Sequence, residues 1–251
     1  MSQNNFEEAA QPFISHLIEL RDRLLRAVLA VAVVFAGLLP FSDRLYSWLA
    51  APLLRNMPKG GQLIAIEVTS TFFVPMKLAF FAALVLAMPV VLYQLWAFVA
   101  PGLYQQEKKL ARPLLVSATV LFYLGCAFTY YALLPVMFAY LTSTAPAGVT
   151  MMTDISHYLD FVLVMFLAGG VSFEVPIAVL IAVILGWVTP QQLAEWRGYV
   201  IVLIFIIAAI ITPPDGLSQI MLALPMCALY EAGVLFSRLL RKRTAPVGVR
   251  E

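Results

Sequence analysis

An acidic residue in the middle of a long apolar run is the feature that most limits how this chain can fold. The run extends from Phe161 to Leu185, is long enough to cross a bilayer, and places Glu174 near its centre. A charge at that depth costs about 3 kcal/mol or more, so it normally faces a helix bundle, a partner or a water path. The chain is therefore expected to lie in a membrane, with one helix carrying a polar group inside it.

The composition supports a membrane protein. Hydrophobic residues make up 62% of the 251 residues, charged residues make up 12%, and the mean hydropathy is +0.91. Glu7 and Glu8 lie in a polar N-terminal stretch without a basic region, so we expect the first apolar segment to be an anchor, not a cleaved signal peptide. Cys126 and Cys227 lack CxxC or His-rich spacing, which favours packing roles over metal or redox chemistry.

Apolar runs of about 20 residues predict an all-α protein with six transmembrane helices in a single membrane domain, 1–251. An amphipathic lead-in at 12–23 precedes spans near 24–41, 77–99, 113–134, 158–185, 199–211 and 217–236, and a tail follows at 237–251. Pro89 predicts a kink in the second span. The fifth span reaches only about 20 Å, short of the roughly 30 Å hydrocarbon core, so it borrows flanking residues or the membrane is thinner there. Short interfacial helices are expected in the outer segment 42–76.

The distribution of basic residues predicts the orientation. Six spans place both termini on one side, and twelve of the sixteen Lys and Arg residues fall on that side. The other four are Arg44, Arg55, Lys59 and Lys77. By the positive-inside rule, both termini and the tail are expected to be cytoplasmic.

Motifs of common membrane enzymes and ATPases are absent from the sequence. It contains no GxxxxGK[ST], GxSxG or HExxH, and the predicted topology puts His16 and His157 on opposite sides of the membrane. We therefore expect no catalytic residues, no metal site and no cofactor, with energy supplied by an ion gradient or by a partner protein.

Polar residues at three places are candidates for function, and each has a simpler interpretation. Glu19 lies in the amphipathic lead-in, where it can pair with Arg23, as Asp22 can with Arg26, at i,i+4 spacing. Glu107 follows the second span and can be a solvated loop charge. Glu174 can carry protons or ions, or only bond to a neighbouring span, for which Gln219 is the natural partner.

Small residues next to Glu174 predict close helix packing. Ala168, Gly169, Gly170 and Ser172 form a small-residue face on the fourth span, which lets a neighbouring helix approach closely.

Five segments, taken together in this order, resemble the TatC family, the multispanning subunit of the twin-arginine protein translocase. Together they span roughly Pro12 to Leu240, nearly the whole chain, and they are highly specific in combination. The segments are His16–Arg21 (HLIELR), Tyr93–Tyr104 (YQLWAFVAPGLY) with Glu107 after it, Pro113–Val116 (PLLV), Ser172–Pro176 (SFEVP), and Thr212–Asp215 (TPPD) followed by Ser218 and Gln219.

The resemblance implies a concave, glove-like bundle of six helices with a periplasmic cap, in the bacterial cytoplasmic membrane. It implies binding of twin-arginine signal peptides, association with single-span partners of the TatA and TatB type, homo-oligomers within a receptor complex, and export of folded cargo driven by the proton-motive force. No nucleic acid is implied. Lys108 and Lys109 stand where the family commonly has arginines.

Residue roles follow from the same resemblance. It implies signal-peptide binding by Glu19, Arg21, Phe98 and Glu107; an intramembrane, partner-binding polar group at Glu174, Thr212 and Gln219; and sensitive outer-loop positions at Pro52 and Asp215. The carboxylates of Glu19 and Glu107 can bind the two guanidinium groups of a twin-arginine signal peptide. Arginine forms bidentate, charge-assisted hydrogen bonds with a carboxylate, and lysine cannot reproduce them.

Two other classes of function remain open from the residues alone. The first is a proton-coupled small-molecule transporter that uses Glu174, although the chain lacks the inverted repeats and paired broken helices of many such proteins. The second is a passive scaffold for other membrane proteins, which would bind no cargo.

Overall fold

The computed structural model describes residues 3–56, 62–99, 108–144, 152–212 and 215–244. The described chain is almost entirely helical, with two short strands. Its elements are α1 (Gln3–Leu38), a 3-10 turn (Leu39–Phe41), α2 (Ser42–Asn56), β1 (Gln62–Ile64), α3 (Ser70–Val99), α4 (Lys108–Phe128), a π-helical turn (Thr129–Leu133), α5 (Leu134–Ser143), β2 (Met152–Asp154), α6 (Ile155–Ile184), α7 (Pro190–Glu195), α8 (Arg197–Ile211) and α9 (Gly216–Thr244).

Helix length and composition confirm an all-α, polytopic membrane protein. Within the described residues, five helical segments are long and apolar enough to cross a membrane, and the apolar helix α8 is shorter. The five segments are Leu17–Ala51, Ser70–Phe98, Arg112–Ser143, Ile155–Ile184 and Gly216–Leu239. With 15 residues, α8 is about 22 Å long, which agrees with the predicted short fifth span.

Most helices extend beyond the ends predicted from the apolar runs. The helix α3 already begins at Ser70, and α9 continues to Thr244. Hydropathy marks the part of a helix at hydrocarbon depth, whereas backbone hydrogen bonding continues through residues such as Lys and Arg, which favour helix. Helical structure also continues through Pro89 within α3.

Local signals define several helix ends. Pro40 is the second residue after α1, a place where a residue unable to continue the helix is common. Gly186 has φ of +72° just beyond α6, a left-handed conformation that favours glycine at a helix C-terminus. Thr189 and Gln192 form a reciprocal capping box at the start of α7, with Pro190 in the first turn.

Residue contacts divide the chain into two compact units. The first consists of Met1–Tyr46 and Pro75–Leu115. Its core forms where α1 meets α3, because Val31, Ala83 and Ala87 are buried there. Phe35 and Phe80 pack edge to face next to this core, with ring centroids 5.7 Å apart.

The second unit consists of Ser47–Val74 and Val116–Glu251, and α6 lies at its centre. The helix α6 packs most extensively on α9 and also contacts the π-helical turn and α8. Its glycines permit close approach: a Cβ on Gly169 would lie 1.9 Å from Thr129 Oγ1, and one on Gly170 would lie 2.6 Å from the Phe122 ring. This confirms the predicted small-residue packing face.

Within the described residues of the segment 42–76, the short helix α2 agrees with the short helices predicted there, whereas the strand β1 was not predicted. The strand β1 pairs in parallel with β2. Aromatic side chains attach α2 to the unit: Tyr130 stacks on Trp48 and donates to its carbonyl oxygen at 2.9 Å. Tyr158 donates likewise to the carbonyl oxygen of Leu49 at 2.8 Å. Such long-range side-chain bonds have no local sequence signature, which explains why the arrangement was not predicted.

Candidate functional site

The residues predicted to bind the signal peptide include Glu19 and Arg21, which lie on α1 in the first unit, just before its apolar part. Glu19 is half-buried on α1, and Arg23 one turn later donates to its Oε1 atom through both Nε, at 3.0 Å, and Nη2. Both contacts fall on the same carboxylate oxygen, so Oε2 keeps its capacity to accept from a further donor. The sequence-based i,i+4 pair is confirmed, and it shows that this carboxylate can hold a guanidinium group.

A second predicted ion pair in this group is wrong. Asp22 does not pair with Arg26; instead, the Nε and Nη2 atoms of Arg21 donate to Asp22 Oδ1 at 3.0 and 2.9 Å. The helix α1 exposes both side chains here, and an adjacent guanidinium group can reach the carboxylate as easily as one on the next turn. Phe98 is half-buried in the last turn of α3. Glu107 lies outside the described residues.

Glu174 lies in the middle of α6, as predicted, with Pro176 two residues later inside the same helix. Its Oε1 atom is buried and has no hydrogen-bond partner within the described part of the chain. A buried polar atom without a partner costs about 1–3 kcal/mol, so such atoms are rare and call for an explanation.

Gln219 is not the partner of Glu174 in this structure. Its Nε2 atom donates to the carbonyl oxygen of Phe205 at 3.0 Å, which joins α9 to α8. Thr212 is buried at the end of α8 and donates to the carbonyl oxygen of Ala208 at 2.9 Å. Gln219 thus links α9 to α8, and Thr212 bonds back onto the last turn of α8. Glu174 makes no described hydrogen bond with either residue.

Of the two predicted outer-loop positions, the structure describes the side chain of one, Asp215. Asp215 caps α9, because its Oδ1 atom accepts from the backbone N–H of Ser218 at 2.7 Å. Its other oxygen is buried without a partner among the described residues. Pro52 lies within α2, and its side chain is outside the described part.

Asp154, directly before α6, is a further polar residue that was not singled out from the sequence. It caps α6 and accepts from the backbone N–H groups of Ile66 and His157, each at 3.3 Å. Although burial alone would raise it, these bonds and the His157 ring hold the pKa of the Asp154 carboxyl below its usual value. The carboxylate therefore links Ile66, two residues after β1, to the start of α6.

A second missed feature is an ion pair between α8 and α9. Arg197 reaches Glu231 in a bidentate arrangement, with Nε to Oε1 and Nη2 to Oε2 both at 2.7 Å. The sequence did contain a signal, since Glu231 is an acidic residue inside the predicted sixth span. An acidic residue in such a span normally has a partner, and Arg197 is near the start of the short fifth span.

Comparison with known proteins identifies the family. The family model "Sec-independent protein translocase protein (TatC)" matches residues 15–225. The chain belongs to the TatC family. The expected resemblance is confirmed, and with it a role in protein transport for a subunit that is not an enzyme.

Individual TatC relatives are similar over most of this chain. The chain is 53% identical to TatC of Halothiobacillus neapolitanus over 92% of its length, which corresponds to 63% of that relative. Identity to TatC of Haemophilus influenzae is 51%, covering 94% of this chain and 91% of the relative. For Escherichia coli strain K12 TatC, identity is 49%, covering 92% and 90%.

A crystal structure of a TatC protein, described as the twin arginine translocase receptor, has the same fold. It superimposes with a TM-score of 0.80 at 35% identity and covers 90% of this chain and 99% of that structure. Membership of a protein translocase family disfavours the alternative of a small-molecule transporter that uses Glu174.

Proposed function

We propose that this TatC-family chain is the signal-recognition subunit of the twin-arginine translocase in the bacterial inner membrane. In this role it binds twin-arginine signal peptides of folded cargo with Glu19 and Glu107, next to Arg21 and Phe98, on a cytoplasmic surface. It works with single-span partners of the TatA and TatB type, in receptor complexes that contain several copies of this chain, and the proton-motive force drives export.

The carboxylate of Glu19 supplies the observation that supports this role most directly. It accepts two N–H groups from the Arg23 guanidinium, which is the chemistry required for an arginine of a signal peptide. An i,i+4 ion pair on a helix surface is worth only about 0.3–0.5 kcal/mol. An incoming arginine can therefore displace Arg23 or share the carboxylate with it at little cost.

Binding of a synthetic signal peptide to the purified protein in lipid nanodiscs tests the proposal. Glu19→Gln and Glu107→Gln keep the side-chain size and remove the charge, so each should weaken binding of a twin-arginine peptide by about 1.5–3 kcal/mol. The double variant should bind the twin-arginine peptide no better than the wild type binds a peptide with two lysines in place of the arginines. Lysine is the reference because it lacks the planar guanidinium group that donates two parallel hydrogen bonds.

Glu195→Gln is the matched control. Glu195 is an exposed acid at the end of α7, and the predicted topology places it on the same side of the membrane. Its loss should leave binding unchanged if the effect belongs to the two specific carboxylates. Wild-type affinity in the Glu19→Gln/Glu107→Gln variant would contradict the proposal, and so would an equal loss in the control.

A further inference from the structure

A small cavity between α8 and α9 combines charged and apolar walls. Its volume is about 230 Å³, and it lies where the start of α8 meets the later turns of α9. Its lining residues are Arg197, Glu231, Ala232, Val234, Leu235 and Arg238.

The charges in this cavity leave an excess positive charge. Arg197 engages Glu231 through one hydrogen bond and one further ion-pair contact, each 2.7 Å long. Arg238 is exposed and has no acidic partner among the described residues. Two guanidinium groups and one carboxylate therefore make a site for a single negative charge, and α9 continues with Arg241, Lys242 and Arg243.

Both arginines mark the boundary between the apolar and polar parts of their helices. Arg197 is the first residue of the apolar helix α8, and Arg238 lies at the end of the membrane-crossing segment Gly216–Leu239. At such a boundary, the hydrocarbon core meets the phosphates of the lipid headgroups. Leu235 is 58% exposed beside Arg238, which gives the cavity an apolar edge toward the lipid.

We propose that this cavity binds the phosphodiester of an anionic glycerophospholipid. The phosphate accepts from Arg238 and from the outer N–H groups of Arg197, while the glycerol and upper acyl carbons lie on Val234 and Leu235. The parallel N–H groups of a guanidinium can bind two phosphate oxygens at once. In addition, four basic residues at the end of a transmembrane helix attract anionic lipids. Glu231 orients the Arg197 side chain and reduces the net positive charge of the cavity.

Lipid titrations followed by native mass spectrometry test this assignment. The purified wild-type protein in detergent should retain phosphatidylglycerol in preference to phosphatidylcholine. One basic residue near an anionic membrane surface is worth about 1 kcal/mol, so Arg238→Gln should weaken phosphatidylglycerol retention about five-fold. Glu231→Gln should have the opposite effect, because it removes the acid found among the described lining residues of the cavity. Arg238→Lys should restore most of the binding.

Three controls make the result specific. Arg26→Gln removes an exposed arginine from α1 in the other unit and should leave retention unchanged. Glycerol 3-phosphate and inorganic phosphate at millimolar concentration should not displace the lipid; displacement would instead assign the cavity to a soluble phosphate. Melting temperatures without added lipid report folding, and a properly folded Arg238→Gln variant with wild-type lipid selectivity would overturn the proposal. The titration uses no signal peptide, so its outcome is independent of the signal-recognition role.

Discussion

Three glutamate carboxylates lie in different environments within this chain, namely those of Glu19, Glu231 and Glu174. Arg23 holds the first and Arg197 the second, each through two guanidinium nitrogen atoms. Glu174 has a buried Oε1 atom without a hydrogen-bond partner in the described residues. Since a buried polar atom is normally paired, we infer that a polar group on a partner helix supplies the missing bond.

Replacing Glu174 by Gln or by Leu separates hydrogen bonding from proton transfer. Glutamine keeps two polar atoms at this position, whereas leucine removes them and retains the volume. We expect Glu174→Gln to keep both export and crosslinking to single-span partners, and Glu174→Leu to lose both. The lost hydrogen bond is worth about 0.5–1.5 kcal/mol, so partner affinity should fall about two- to ten-fold.

Export assays with a folded twin-arginine cargo distinguish the remaining cases. Loss of export in both variants, with partner contact retained in Glu174→Gln, would indicate proton transfer by the carboxyl group. Normal export by Glu174→Leu would show that the side chain has neither role.

At the scale of helices, the packing of the second unit depends on a place where two helix backbones lie so close together that a Cβ atom has no room. Gly125 and Gly169 bring α4 and α6 together, and Thr129 fills the remaining space beside them. Thr129 is completely buried and donates to the carbonyl oxygen of Gly125 at 2.9 Å. Backbones that approach this closely gain van der Waals contact, which is a main source of helix association in membranes.

Gly169→Ala should destabilise the protein by about 1–3 kcal/mol, the usual cost of overpacking, because its Cβ would overlap Thr129 Oγ1. Thermal unfolding in detergent, followed by size-exclusion chromatography, measures the change. Gly37→Ala is the matched control: a Cβ at Gly37 meets nothing within 4 Å, and alanine favours helix there. Thr129→Ala should partly rescue Gly169→Ala; a fully stable Gly169→Ala variant would show that the contact can relax.

These elements also show how far the sequence predicts the structure. The apolar runs predict each span, and the small residues around Gly169 predict the close contact, because both signals are local. The partner of Gln219 was not predictable in the same way. Many polar groups are possible partners for an amide, and the one it meets is a backbone carbonyl, that of Phe205 inside α8. Likewise, the bond from the backbone N–H of Ile66 to the Asp154 carboxylate joins residues 88 positions apart, with no periodicity to reveal it.

For the whole molecule, the distribution of basic residues supports one orientation in the membrane. Twelve of the sixteen Lys and Arg residues fall on the side predicted to be cytoplasmic, which includes both termini. Moving a cluster such as Arg241, Lys242 and Arg243 across the membrane would be unfavourable, so we expect a single topology.

Cysteine labelling of intact cells tests that topology. In a background with Cys126 and Cys227 replaced by alanine, Glu67→Cys and Lys59→Cys should react with an impermeant thiol reagent from the periplasmic side. Glu67 is exposed in the structure, so its accessibility depends on the side of the membrane and not on burial. Lys108→Cys and Lys242→Cys should react only after the inner membrane is permeabilised, because the positive-inside rule retains these basic segments in the cytoplasm. Labelling of Lys108→Cys in intact cells would show that the orientation is the reverse of the predicted one. It would then also contradict the assignment of Glu19 and Glu107 to a cytoplasmic docking surface.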